Sequence, residues 1–336
     1  MQMDIKNIER TVNMLAGSLH MRMDYFTQIN AGTKKLLIVE GQTDKQFICG
    51  HLCDDVICMV ANKAFDTANG FSPKPLLNCK KAIVEVVYGL SVYPTIIKCP
   101  KGSENWKVFG MIDMDFDDVG NHTKIAKLFI TDTHDLETLM LSTEKNLLQK
   151  IEGCVIGVED TKKALFMAYQ LGRIRQVLTG EMSKGLSAGN NEIEYSNFIL
   201  EDYRISLKSL ISYLNKQTEE PIAPEKEKKL LEQLSKDRSI KQYLTKEGIW
   251  KYEIDSFDAA KTNDLWDIVN GHDILSLLRY VNETAAIKFK ASSQYAVDRT
   301  FEMALINAYN HNNFKGTKIC KRMVAEGIVS KQFKKT

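Results

Sequence analysis

The chain has 336 residues, of which 44% are hydrophobic and 26% charged, with 19 Gly and 6 Pro. That composition suits one large or two modest folded domains and excludes a collagenous or low-complexity chain. A formal net charge of +2 excludes nucleic-acid binding through a global field, so any such binding requires a local basic patch.

The opening MQMDIKNIERTVNML interrupts every apolar stretch with charge, unlike a secretory signal. No run approaches the ~18 apolar residues of a membrane span. The expectation is a soluble, cytoplasmic protein with no membrane partner. Seven Cys, an odd number, indicate reduced thiols rather than a disulfide framework. Cys49, Cys53 and Cys58 lack a CxxC pair and read as buried small hydrophobes rather than zinc ligands.

In chain order, Ile5, Ile8, Val12, Leu15 and Leu19 place an amphipathic helix within residues 5–29, and 1–30 form an N-terminal helical segment. Lys35–Glu40 reads as a buried strand, Thr43–Leu52 as a helix and Asp54–Val60 as a second strand, with a loop running on through Asn78. Lys80–Gly89 is helical, Trp106–Ile112 a strand, Leu128–Thr131 a short strand, and a helix follows from Asp135 to about Leu148. This alternation predicts an α/β fold over 31–150, a mostly parallel sheet flanked by helices. Strand signals then thin out. Thr161–Leu178, Ser206–Lys216, Pro224–Leu234, Ile274–Val281 and Tyr295–Tyr309 read as helices and Lys184–Glu194 as a loop. Residues 151–336 are therefore expected to form a predominantly α-helical C-terminal domain, in which the charged stretch Glu219–Lys229 is a wet surface.

Acidic residues gather at the predicted strand ends. The first strand ends in Glu40-Gly41-Gln42-Thr43-Asp44, with Gly41 at the turn and Asp44 in the first turn of the next helix. The strand ending at Ile112 runs into Asp113-Met114-Asp115-Phe116-Asp117-Asp118. In extended geometry Asp113, Asp115 and Asp117 point the same way, whereas Asp118 reads as a solvated loop residue. Like charges a few ångström apart raise one another's pKa, and a divalent cation relieves that repulsion. With no His or Cys nearby, hard Mg²⁺, or Mn²⁺, is the expected ion. A third cluster is Asp132-Thr133-His134-Asp135-Leu136-Glu137. Glu137 is its favoured metal ligand, while Asp132, Thr133 and Asp135 have an adequate reading in helix capping and dipole compensation.

VEGQTD at 39–44, DMD at 113–115 and THDLE at 133–137 together resemble the Toprim domain of topoisomerases, bacterial primases, the ribosomal-RNA maturase and OLD-type nucleases. The resemblance covers roughly residues 34–150, and the long interval between Glu and DxD marks Phe65–Asn78 as an insertion. It implies that Glu40, Asp113 and Asp115 are the catalytic, metal-binding carboxylates, and the residues themselves offer Asp117 or Glu137 as a further metal ligand. DxDxD, TDxxDLE and the later Asn270-Gly271-His272-Asp273 are similar to a standalone Toprim family of bacterial defence loci. Its best-known members are the nuclease toxins of PARIS-type anti-phage systems, held by an ABC-type ATPase. By itself, Gly271-His272-Asp273 also reads as a turn with Asp273 as N-cap.

The resemblance implies a Mg²⁺-dependent endonuclease that cleaves nucleic-acid phosphodiesters. The sequence holds no GxxxxGK[ST] motif, so ATP dependence would come from the ATPase partner. Lys45 is the nearest candidate for a transition-state or phosphate contact. Lys318, Lys321 and Arg322, in a basic stretch after Phe314, are the candidate nucleic-acid contacts. RNA against DNA, one metal against two, and pairing as a homodimer stay open, and the competing reading is a non-catalytic Toprim-fold regulatory module.

Overall fold

The computed structural model describes residues 5–20, 22–65, 79–92, 98, 100–101, 103–114, 125–178, 193–218, 221–282 and 294–332. Asp115, Asp117 and Asp118 lie outside these residues, as do nearly all of the expected insertion after Phe65 and of the loop after Lys184.

Among the described residues the elements are α1 (Ile5–His20), α2 (Met23–Asn30), β1 (Lys35–Val39), α3 (Gln42–Cys49), β2 (Val56–Val60), a short α4 (Ala61–Ala64) and α5 (Cys79–Val92). Next come β3 (Lys107–Ile112), β4 (Leu128–Ile130), α6 (Leu136–Thr143), α7 (Val158–Arg175), α8 (Leu207–Gln217) and α9 (Pro224–Lys236). The last are α10 (Leu265–Ile268), α11 (Gly271–Val281), α12 (Gln294–Ala308) and α13 (Lys318–Ala325). The helix expected over 5–29 is broken into α1 and α2. The one expected from Asp135 to Leu148 stops at Thr143, because Asn146 takes the left-handed φ of 59° that ends a helical run. No helix among the described residues is long and apolar enough to cross a membrane.

The chain forms two compact units, one of Met1–Leu136 with Asn310–Thr336 and one of Glu137–Tyr309. The contacts that join residues 310–336 to the N-terminal part lie at the end of α13. Gly327, at φ 65°, ends that helix with Ile328 N–H returning to the Met323 carbonyl at 2.8 Å, a Schellman stop. Ile328 and Val329 are then buried. Cys53 N–H donates to the Ile328 carbonyl and Ser330 N–H to the His51 carbonyl, each at 2.9 Å. The Lys35 ammonium reaches the Gly327 carbonyl at 2.8 Å.

The N-terminal unit is α/β, with a four-stranded sheet in the order β2-β1-β3-β4 and every pairing parallel. Successive side chains alternate between faces. Leu36, Ile38, Val108, Ile112, Leu128 and Ile130 join Ile8, Val12 and Leu15 of α1 and Ile83 and Val87 of α5 in one apolar core. Gly110 permits the close approach of α5, since a Cβ there would stand 2.4 Å from Ile83 Cγ2. Phe109 and Phe129 alternate to the other face, where their rings stack 6.0 Å apart, and α3 packs on β1 and β2 and α13 on β4.

The second unit is helical and built around α7, whose ten buried residues include Ala164, Phe166, Leu171 and Ile174. It packs against α11 and α10. Gly172 admits the Ile268 backbone, whose carbonyl oxygen would lie 2.3 Å from an added Cβ.

Candidate functional site

After β1 the chain builds β2 on one side of it and later β3 on the other, so the connections diverge between β1 and β3. In an open parallel sheet, that crevice at the carboxyl ends of the strands is where ligands collect. Glu40 follows β1 and Asp113 follows β3. Their strands run in register, Val39 beside Met111, and Glu40 Oε1 accepts the Asp113 N–H at 2.8 Å. Both side chains are half-buried. The structure thus sets the Glu40 carboxylate against the backbone of Asp113. Asp115 and Asp117 lie outside the described residues.

The turn after β3 is tied down by short polar contacts. Met114 N–H donates to Thr131 Oγ1 at 2.9 Å, and the Thr131 hydroxyl donates to the Thr133 carbonyl at 2.8 Å, which joins the exits of β3 and β4. The Lys80 ammonium, in the first turn of α5 and buried, donates to the Met114 carbonyl at 3.5 Å. The neighbouring Cys79 thiol is pushed up, first by burial and then by the Glu40 carboxylate, so that charge is felt at the start of α5. Sequence reasoning missed Lys80. A lysine opening an amphipathic helix reads as exposed, and its only signal is that the predicted helix begins there.

Lys45 is half-buried on α3, and its ammonium acts on a cysteine pair. Hydrogen bonding from Cys58, opposed by burial and reinforced by Lys45, holds the Cys49 thiol down at about 7, while the Cys58 thiol is pushed up by that hydrogen bond and by burial. The reading of Cys49, Cys53 and Cys58 as buried is corrected: Cys49 is exposed and the other two are half-buried, because Cys49 closes α3 at the surface. Gly41 has φ −122°, a conformation open to any residue, so the turn does not require glycine for its dihedrals. Its N–H donates to the Asp44 carboxylate at 2.7 Å, and this fixes the start of α3.

Asp132 accepts the backbone N–H groups of Lys318 and Ile319, the latter at 2.9 Å. It is a helix cap, but for α13 rather than for the helix that follows it in sequence. Asp135 is buried beside His134, whose Nδ1 lies 3.1 Å from its carboxylate. Lys318 and Lys321 are exposed on α13, whereas Arg322 donates to the Leu128 carbonyl at 2.7 Å and stands over the Phe129 ring. Arg322 therefore holds α13 to the sheet.

In the helical unit, Asn270 rather than Asp273 caps α11, accepting the His272 N–H at 2.9 Å. Asp273 points inward, 1% exposed, and accepts two bonds from the Arg175 guanidinium at 2.7 and 3.0 Å. Glu137 belongs to this unit, where it is grouped with His272 and Glu302.

The oxygen-only pair Glu40 and Asp113 suits a hard divalent cation, which takes carboxylate and water oxygens and keeps room for phosphate. Comparisons of the chain with protein-family models, with curated proteins and with solved structures return no match.

Proposed function

We propose that the chain is a divalent-metal-dependent nuclease whose centre is Glu40, Asp113 and Asp115. The observation that carries this reading is the direct contact of Glu40 with Asp113 at the diverging pair of parallel strands. The DMD spacing then adds a third acidic residue, Asp115, two positions after Asp113 in the sequence.

Mg²⁺ held by these carboxylates would supply charge neutralisation at the phosphoryl oxygens and a water of lowered pKa. The protein's own groups do the rest. The Asp113 N–H orients the Glu40 carboxylate, as a positioned base or metal ligand must be oriented. The Met114–Thr131–Thr133 bonds hold the turn that carries Asp113. Lys80 sets a positive charge beside that turn, where it offsets negative charge developing on the transferred phosphate. Exposed Lys318 and Lys321 supply backbone contacts for the nucleic acid. The Toprim resemblance extends the reading to an effector of anti-phage defence restrained by an ABC-type ATPase.

The test is incubation of the full chain with plasmid, single-stranded DNA and tRNA, with Mg²⁺ or Mn²⁺ and with excess chelator. Cleavage that requires the metal is expected. Equal cleavage in chelator, or none of any substrate with metal, overturns the proposal.

A further inference from the structure

Glu137, His272 and Glu302 each offer a ligand atom, and these atoms all lie within 4.8 Å of one another. They come from three helices: the first turn of α6, the start of α11 and the middle of α12. Glu137 and Glu302 are only 4% and 7% exposed. Bringing two carboxylates out of water toward one point is unfavourable unless positive charge meets them there. His272 Nδ1 lies 3.1 Å from Glu302 Oε1, with the imidazole 45% exposed, so one side of the group opens to solvent.

From this we infer a second metal site, in the helical unit, that takes a divalent transition ion such as Mn²⁺ or Zn²⁺. The chemistry differs from that at Glu40 and Asp113. An imidazole nitrogen among the donors favours a first-row transition ion over Mg²⁺, and the two carboxylates keep the site hard enough for Mn²⁺. Three protein ligands leave room for water or a substrate oxygen, the pattern of open rather than purely structural sites.

The supports are already built. Asn270 caps α11 just ahead of His272. The adjoining Asp273 is clamped by Arg175 through two hydrogen bonds. Asn282, after the far end of α11, donates to Asp160 at 2.6 Å. Thr143, the last residue of α6, hydrogen-bonds Tyr309 just beyond α12 at 2.8 Å. The helices bearing the three ligands are thus held by polar contacts at their ends, which limits how far the ligands can move apart.

The experiment uses the full chain stripped with chelator and titrated with Co²⁺ in excess Mg²⁺, followed by the cobalt d–d absorption. Mg²⁺ saturates oxygen-only carboxylate sites, so the signal reports one containing nitrogen. One equivalent is expected to bind. His272→Ala and Glu302→Gln should each weaken binding more than about tenfold, since loss of a ligand exceeds the loss of an outer-shell partner, and Glu40→Gln should leave binding unchanged. Unchanged Co²⁺ affinity in His272→Ala overturns the inference, as does a signal lost only in Glu40→Gln. Should Glu302→Gln fail to fold, His272→Ala decides alone, because its side chain is half-exposed. No cleavage is measured, so failure here and failure of the nuclease reading are told apart.

Discussion

Glu40 carries a charge and also accepts the Asp113 N–H, and two substitutions separate these roles. Glu40→Gln keeps an acceptor and removes the charge. Cleavage should fall by about 10²-fold or more, with the melting temperature in chelator unchanged. Glu40→Ala removes the acceptor too, and should cost an additional ~1 kcal/mol of stability. Carboxylate repulsion alone would make the alanine variant neutral or stabilising without metal, and the bond to Asp113 reverses that sign. Initial rates with metal and thermal melts in chelator check both, and wild-type cleavage by Glu40→Gln would remove Glu40 from the centre. His51 yields a pH dependence. It is buried, its Nε2 lies 2.7 Å from His311 Nδ1, and its ring is surrounded by those of Phe47 and Phe314. Burial first, then His311 and Lys315, hold its pKa down from the usual 6.5 to about 4. The unfolded chain takes up this proton before the folded one does. The His51 contribution is therefore full above about pH 6.5 and is lost as pH falls toward 4. A melting temperature that drops through this window in the wild type, and drops less in His51→Phe, is the expected result.

At the scale of elements, α5 lies where it does because Gly110 presents no Cβ. Gly110→Ala would drive a methyl into Ile83 and Leu128, at 2.4 and 2.9 Å, and should destabilise the fold by about 1–3 kcal/mol, measured by urea unfolding. A glycine inside a strand signals close backbone approach, yet nothing local says what approaches. The same limit runs through the site. The four strands were legible because each is a short apolar run bounded by turn residues, and Glu40 and Asp113 because they end two of those runs. Lys80 was not legible, since its burial depends on the turn after β3 meeting the start of α5. Nor was the partner of Asp132, which caps a helix 186 residues further along. The pattern of α13 is amphipathic, with Ile319, Cys320 and Met323 buried and Lys318 and Lys321 exposed. Its lysines were visible in sequence, but the packing of their helix on β4 was not.

At the scale of the whole molecule, the α/β unit is discontinuous in sequence, with Glu137–Tyr309 set between its two parts. A truncation after Tyr309 is expected to unfold the N-terminal unit, not merely to remove a basic surface. It strips Phe314 from Phe47, Arg322 from Phe129 and Val329 from its bridge to Leu52. Far-ultraviolet circular dichroism and proteolysis of the N-terminal unit check this, and a truncated chain with an intact, protease-resistant sheet would refute it. The closure of Gly327 and Ile328 on Lys35 and Cys53 also sets an order of events during synthesis. The helical unit is contiguous and can fold as soon as residue 309 leaves the ribosome. The α/β unit must wait for residues 310–330, among them Gly327, whose carbonyl the Lys35 ammonium meets 292 positions later. Until then a nascent chain carries Glu40 and Asp113 on an unfinished scaffold, and the two residues reach their final setting only after the whole helical unit has been made.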